Sequence, residues 1–358
     1  MQPTDLRTLS QLLRGDLAPT ATTEHTVVSD RPHARLLRYG SDEQLDQARR
    51  DGAVPVLLVP PLAVPAFAYD LAPHAQPANS VVEFLLSTGT VPYVVDFGDV
   101  SRADRHIGFE TYFDHLVPRA IGQVVADFAG ATDAVDLMAW SLGGTLSFMT
   151  AANDPGLPIR SIITVGTPLN YTKIQPYPLV RAVLGPTGGR PATYLLRALA
   201  GIPAPLVRAA YRATSWDREL RKPAYILRNL HDREALSRMQ VIDRFQDSLP
   251  GYPGKVAEQM LVNLVVRNEI TDGVLHFDRH TVDLHSITAP IFLTGSHRDA
   301  IVSHAAAAWG TELFTGSQHV EFHTIESSHL GMLTGADAAQ HTWPAVQAFR
   351  ARLDADRI

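Results

Sequence analysis

The 358-residue chain has no cysteine, which excludes disulfides, thiolate metal centres, iron–sulfur clusters and any cysteine nucleophile. Lysine is scarce: only Lys173, Lys222 and Lys255 stand among the 31 basic residues, the rest being arginine. Positive charge is not in excess either, the formal net charge being −6. With no dense basic run to track a phosphate backbone, nucleic acid is not an expected partner. Long apolar runs are absent as well. The longest, from Ala53 to Ala68, is interrupted by Pro55, Pro60, Pro61 and Pro65 and falls short of the ~20 residues of a membrane span. The N-terminal residues Met1 to Arg7 hold no basic stretch followed by an apolar core, so no secretory signal is expected there, and the reading is a cytoplasmic protein without a transmembrane segment.

What is present is an alternation of strand and helix signals. Glu24–Ser29 and Ala34–Tyr39 flank Asp30-Arg31-Pro32-His33 and predict a hairpin. Val54–Val59 is a continuous apolar run of strand length, as in a buried parallel strand. A helix over Ser80–Ser87, a strand over Thr90–Asp96 and a helix over Phe109–Phe128 follow, the last with apolar residues at helical spacing. Val135–Trp140 and Ser161–Val165 predict further strands, with a helix from Thr145 between them. After residue 169 the pattern becomes mainly helical until about 285. It then resumes with a strand at Pro290–Thr294, a helix near 303–314, a strand near 319–325 and a helix near 343–353. Such order predicts a mostly parallel sheet with helices on both faces, the α/β-hydrolase architecture. The expected organisation is an N-terminal helix and hairpin (1–50), a first core part (51–168), a helical cap (169–285) and a second core part (286–358).

The chemistry-bearing residues stand at strand ends. Ala139-Trp140-Ser141-Leu142-Gly143-Gly144 lies at a strand-to-helix junction, where a tight turn lifts a serine hydroxyl above the sheet edge. Ala139 and Gly143 supply the small residues that let the two backbones cross. The Leu142 N–H, at a helix N-terminus, is a candidate oxyanion donor. A second donor is expected after Val59, where Pro60 and Pro61 have no N–H, making Leu62 the first choice. Asp299 follows strand Pro290–Thr294, and His329 follows the last predicted strand in a loop of small residues. Ser141, Asp299 and His329 in that order form a candidate nucleophile, acid and base. Taken singly, each also has a plain structural reading: a helix start, a capping aspartate and a loop histidine.

The chain resembles the polyhydroxyalkanoate synthase family over most of residues 54–335. The match rests on Leu57-Leu58-Val59-Pro60-Pro61 with Tyr69-Asp70-Leu71, Asp96-Phe97-Gly98 with Arg102-Ala103-Asp104-Arg105, the Ser141 elbow and Arg228-Asn229-Leu230. Val282-Asp283-Leu284 with Ile287-Thr288-Ala289-Pro290, Asp299 with Ile301-Val302, and Ser328-His329-Leu330-Gly331 complete it. The resemblance implies the fold, the triad and the cap. Three positions depart from the family pattern: Ser141 stands where the synthases carry cysteine, Ala300 where histidine follows the acid, and Ser328 where glycine precedes the base. A serine hydroxyl needs deprotonation by its base, and its acyl ester is ordinarily resolved by water. Hydrolysis of hydrophobic acyl esters or acyl thioesters is therefore the first reading, with acyl-CoA as a candidate donor and no cofactor. Transfer of (hydroxy)acyl groups from acyl-CoA to an alcohol is the alternative. A polymer depolymerase and a non-catalytic scaffold are further readings, and a homodimer is a candidate assembly.

Other features weigh less. His276, His280 and His285 could suggest a metal site and His319 with His323 has i, i+4 spacing, but that pair lies in a predicted strand, where the spacing makes no ligand pair, and no His-Glu-x-x-His occurs. Gly185-Pro186-Thr187-Gly188-Gly189-Arg190 lacks the ending of a phosphate loop, and no dinucleotide-binding glycine pattern follows a strand. Leu195, Leu196, Leu199, Leu206, Val207 and Tyr211 are expected to form the cap's own core or to line an acyl tunnel.

Overall fold

A computed structural model describes residues 3–19, 21–75, 79–130 and 132–355; Met1 and Gln2 of the N-terminal stretch lie outside them. Eight strands form one sheet: β1 (His25–Ser29), β2 (Arg35–Tyr39), β3 (Val56–Val59), β4 (Pro92–Asp96), β5 (Val135–Trp140), β6 (Ile159–Val165), β7 (Ile291–Gly295) and β8 (Val320–Thr324). Their spatial order is β1-β2-β4-β3-β5-β6-β7-β8. The predicted hairpin β1–β2 is antiparallel and joins the sheet through an antiparallel pairing of β2 with β4, while all pairings from β4 to β8 are parallel.

Parallel strands joined by helical crossovers must bury both faces, and the sequence alternation does so. Leu57 and Val59 face one apolar core with Leu137 and Ala139; Val56 and Leu58 face the other with Met138 and Trp140. Because side chains alternate across a strand, one β-strand thus serves two cores. The helices Val117–Phe128 and Leu142–Asn153 cover the first face, through Ile121, Val124, Leu146 and Phe148. The helices Val81–Ser87 and Trp343–Ala355 cover the second, through Val82, Leu85, Val346 and Phe349. The expected helix over Phe109–Phe128 contains a π-helical turn at Thr111–Leu116 just before Pro118, whose missing N–H cannot close the regular ladder.

Beneath the active edge, at the opposite end of the strands, Asp136 is fully buried. It accepts from Arg160 Nε (2.7 Å), Ser161 Oγ (2.7 Å) and Arg350 Nε (2.8 Å). Arg350 also donates to Thr90 Oγ1 (2.7 Å) and to the Val54 carbonyl (2.8 Å). Burial by itself would raise the Asp136 pKa; the Arg350 and Arg160 guanidiniums outweigh it and hold the carboxyl below its ordinary range.

Between β6 and β7 the chain forms the helices Tyr177–Leu184, Arg190–Leu199, Ala204–Ala213, Trp216–Arg228 and Arg233–Asp247, with shorter elements after them. The helices do not enclose all their apolar residues. Leu195, Leu199 and Leu206 are exposed, which overturns for these three the expectation of a cap core or tunnel lining; Val207 and Tyr211 do pack on the second core. A short helix buries one stripe, and here the leucines stand off that stripe.

Candidate active site

The elbow begins where β5 ends. Ser141 has φ 52° and ψ −126°, a backbone conformation that a non-glycine residue rarely adopts. Its N–H donates to the Val165 carbonyl (2.9 Å), and its carbonyl accepts from Thr167 Oγ1 (3.0 Å) and the Gly144 N–H (2.9 Å). The helix starts at once, at Leu142, three residues ahead of the expected Thr145; the two glycines are helical because helix and strand pass too closely for a side chain. A Cβ on Gly143 would meet the Val59 carbonyl oxygen at 2.2 Å, and one on Gly144 would meet Thr167 Oγ1 at 2.0 Å.

Asp299 lies in the loop after β7 and His329 in the loop after β8. Both side chains are buried, with His329 Nδ1 2.6 Å from Asp299 Oδ2. The other carboxylate oxygen, Oδ1, accepts from the Ile301 N–H (2.7 Å) and the Val302 N–H (3.0 Å). Asp299 caps no helix: Ile301 and Val302 lie in the loop, and the next helix, His304–Ala308, is capped by Ser303. A charge-assisted, two-sided anchorage of this kind fixes a carboxylate's orientation. The His329 carbonyl accepts from Trp140 Nε1 (3.2 Å), and the two rings lie 5.1 Å apart. Trp140, the neighbour of Ser141, thus holds His329 in place. Among the described residues no hydrogen bond joins Ser141 Oγ to His329, a looseness common in catalytic groups without substrate.

Three residues support this arrangement in ways the sequence did not assign. Ser296 Oγ, at the end of β7, accepts from the Arg298 N–H (2.9 Å) and the Ser327 N–H (3.1 Å), tying the acid loop to the base loop. Tyr69 donates its hydroxyl to the Val59 carbonyl (2.8 Å), which anchors the segment leading to Leu62. Tyr211, from the inserted helices, is half-buried close to Asp299; burial first, then the Asp299 charge, push its hydroxyl pKa up. Leu62 and Leu142 are both buried, and no hydrogen bond engages their N–H groups among the described residues. Asp70 is purely structural. It accepts from the Thr23 N–H (2.8 Å), Thr23 Oγ1 (2.8 Å) and Ser80 Oγ (2.7 Å).

A cavity of about 530 Å³ opens beside His329, lined among others by Tyr211, Arg218, Gln246, Arg298 and Ala300. Ser141 is not part of its lining. His319 and His323 both lie against Glu321, at 2.6 and 3.1 Å, and neither lines this cavity. Among the described residues no cluster of histidine and carboxylate groups is arranged to hold a metal ion.

No family model matches the chain. Curated relatives do. The chain is 24% identical over 332 residues to the poly(3-hydroxyalkanoate) polymerase subunit PhaC of Haloferax mediterranei, covering 90% of this chain and 63% of that protein. It is 22% identical over 339 residues to the PhaC subunit of Allochromatium vinosum, covering 94% and 91%. It has the α/β-hydrolase fold and is similar to the polyhydroxyalkanoate synthases. The fold likeness extends to solved esterases: one from Thermogutta terrifontis (TM-score 0.50, 13% identity, 93% of this chain and 99% of that one) and RhEst1 from Rhodococcus sp. (TM-score 0.50, 13%, 93% and 100%). With the esterases the chain shares the fold alone. It spans just under two thirds of the Haloferax subunit's length. No helix among its described residues is long and apolar enough to cross a membrane.

Proposed function

We propose that the chain is a serine-dependent acyl-transfer enzyme acting on hydrophobic acyl esters or acyl thioesters. The observation that carries the reading is the buried 2.6 Å pairing of His329 with Asp299 at the ends of β7 and β8, beside the sheet edge that carries the Ser141 elbow. In this reading His329 takes the Ser141 hydroxyl proton as Ser141 Oγ attacks the acyl carbonyl. Asp299 holds the imidazole tautomer and balances its charge. The Leu142 and Leu62 N–H groups receive the developing oxyanion. His329 then returns the proton to the leaving alkoxide or thiolate, and an acyl-Ser141 ester remains. A water molecule, deprotonated by His329, attacks that ester, and free acid leaves. Residues 169–285 act as a cap that shields these steps.

Similarity to PhaC subunits favours a second reading, in which an alcohol rather than water resolves the acyl-enzyme. The two differ only in the acceptor. A panel of acyl-CoAs, 3-hydroxyacyl-CoAs and matched p-nitrophenyl esters separates them by product mass, with Ser141→Ala as the blank. Free acid from either donor is the expected product. Oligomers or alcohol-linked acyl products would move the assignment to transfer, and full activity in Ser141→Ala would overturn both.

A further inference from the structure

The four helices from Tyr177 to Arg228 are unlike the rest of the surface. Among the described residues, ten of the twelve large hydrophobic side chains that stand exposed belong to them. On the helix Trp216–Arg228, Trp216, Leu220 and Leu227 are 65%, 71% and 72% exposed. At about 100° per residue they fall within roughly 40° of one another, so they form one unburied stripe. Single exposed leucines need no explanation, but a contiguous apolar stripe does.

Charge separates this segment further. Residues 177–228 carry nine basic and two acidic residues, in a chain whose total is 31 basic against 37 acidic. The remainder of the protein is therefore strongly negative and this face strongly positive. Several of its cations are engaged: Arg197 with Glu258, Arg212 with Asp247, Arg218 and Lys222 with Asp243. Arg190, Arg221 and Arg228 are exposed, and their guanidinium groups have no ion pair or hydrogen bond among the described residues. Two of the three lie on the same helix as the apolar stripe.

We propose that this helical face binds in the plane of an anionic phospholipid surface, with Trp216, Leu220 and Leu227 inserted among the acyl chains and Arg221 and Arg228 at the headgroups. Exposed leucine and tryptophan beside arginine on one short helix is the chemistry of interfacial helices, which need both apolar burial and attraction to anionic lipid. A second copy of the chain is a poorer occupant, because two faces of the same positive charge repel. The inference is independent of the triad. It concerns where the enzyme works rather than which bond it breaks.

The test is co-sedimentation of the full chain with vesicles of phosphatidylcholine alone and of phosphatidylcholine mixed with phosphatidylglycerol. Partition into the mixed vesicles is expected to exceed partition into the neutral ones by at least about ten-fold and to weaken with added salt. Arg221→Gln and Arg228→Gln should each lower it about five-fold. A blue shift of tryptophan emission on binding should disappear in Trp216→Phe. Leu220→Ser with Leu227→Ser should abolish partition while thermal unfolding stays unchanged, since neither side chain is buried. Equal partition into both vesicle types, or none, overturns the proposal. So does a dimer in solution that the double serine variant converts to monomer, which would assign the face to a second copy.

Discussion

Asp299 divides its two oxygens between backbone and imidazole: Oδ1 accepts the Ile301 and Val302 N–H groups, and Oδ2 faces His329 Nδ1. The proposed role of the carboxylate depends on that second contact, since it selects which imidazole nitrogen is free to accept the Ser141 proton. Asp299→Asn preserves the shape and the ability to accept from the backbone, but its amide can present a donor where an acceptor is required. We expect kcat for p-nitrophenyl ester hydrolysis to fall about 10⁴-fold with KM little changed. A variant within ten-fold of wild type would remove Asp299 from the mechanism. The strand-end placement of Ser141, Asp299 and His329 was legible at this scale because each follows a predicted strand. Ser296 was not. Its hydroxyl joins two loops 31 residues apart in sequence, and no local pattern marks such a bridge.

At the scale of elements, β3 and the elbow helix approach so closely that Gly143 has no room for a methyl group against the Val59 carbonyl. The same carbonyl accepts the Tyr69 hydroxyl, so one oxygen marks the crossing of three elements. Tyr69→Phe leaves that buried acceptor unpaired, at a cost of about 1–3 kcal/mol in stability, measurable by urea unfolding. Because β3 leads directly to Leu62, the positioning of that N–H should suffer as well. We expect kcat to drop by about an order of magnitude with KM unchanged, less than the 10²–10³-fold of an oxyanion donor lost outright. An unaltered kcat alongside lowered stability would leave Tyr69 with a structural role alone. Strand and helix identities were largely readable from apolar runs and spacing; the π turn before Pro118 and the early start of the helix at Leu142 were not, since both answer to neighbouring elements rather than to local preference.

For the molecule as a whole, the Asp136–Arg350 pairing fastens the C-terminal helix to the middle of the sheet. Its pH dependence has a definite sign. The folded carboxyl sits below its ordinary range, whereas in the unfolded chain it titrates near ~3.9. On acidification the unfolded state therefore takes up the proton first. The stabilisation is complete above about pH 5 and is lost as pH falls through the unfolded and then the folded pKa. Unfolding free energy from urea titrations should decline below about pH 4, and Asp136→Asn should flatten that decline. An identical slope in the variant would contradict the assignment. Arg350→Met leaves the buried carboxylate with Arg160 as its remaining guanidinium, and is expected to destabilise at neutral pH by less than the about 3–5 kcal/mol of a buried charge left unpaired.

The sequence by itself determined the α/β-hydrolase class, the order of strands and helices, and which residues stand at strand ends. These follow from periodicity, turn residues and the short reach of a strand-to-helix turn, all local properties of the chain. Only the tertiary structure decided that Trp140 holds His329 in place, that Tyr69 braces β3, and that Leu195, Leu199 and Leu206 face outward. Hydrogen-bond partners distant in sequence and the side of a helix left uncovered depend on how elements pack, and a leucine reads the same in either orientation until its neighbours are placed.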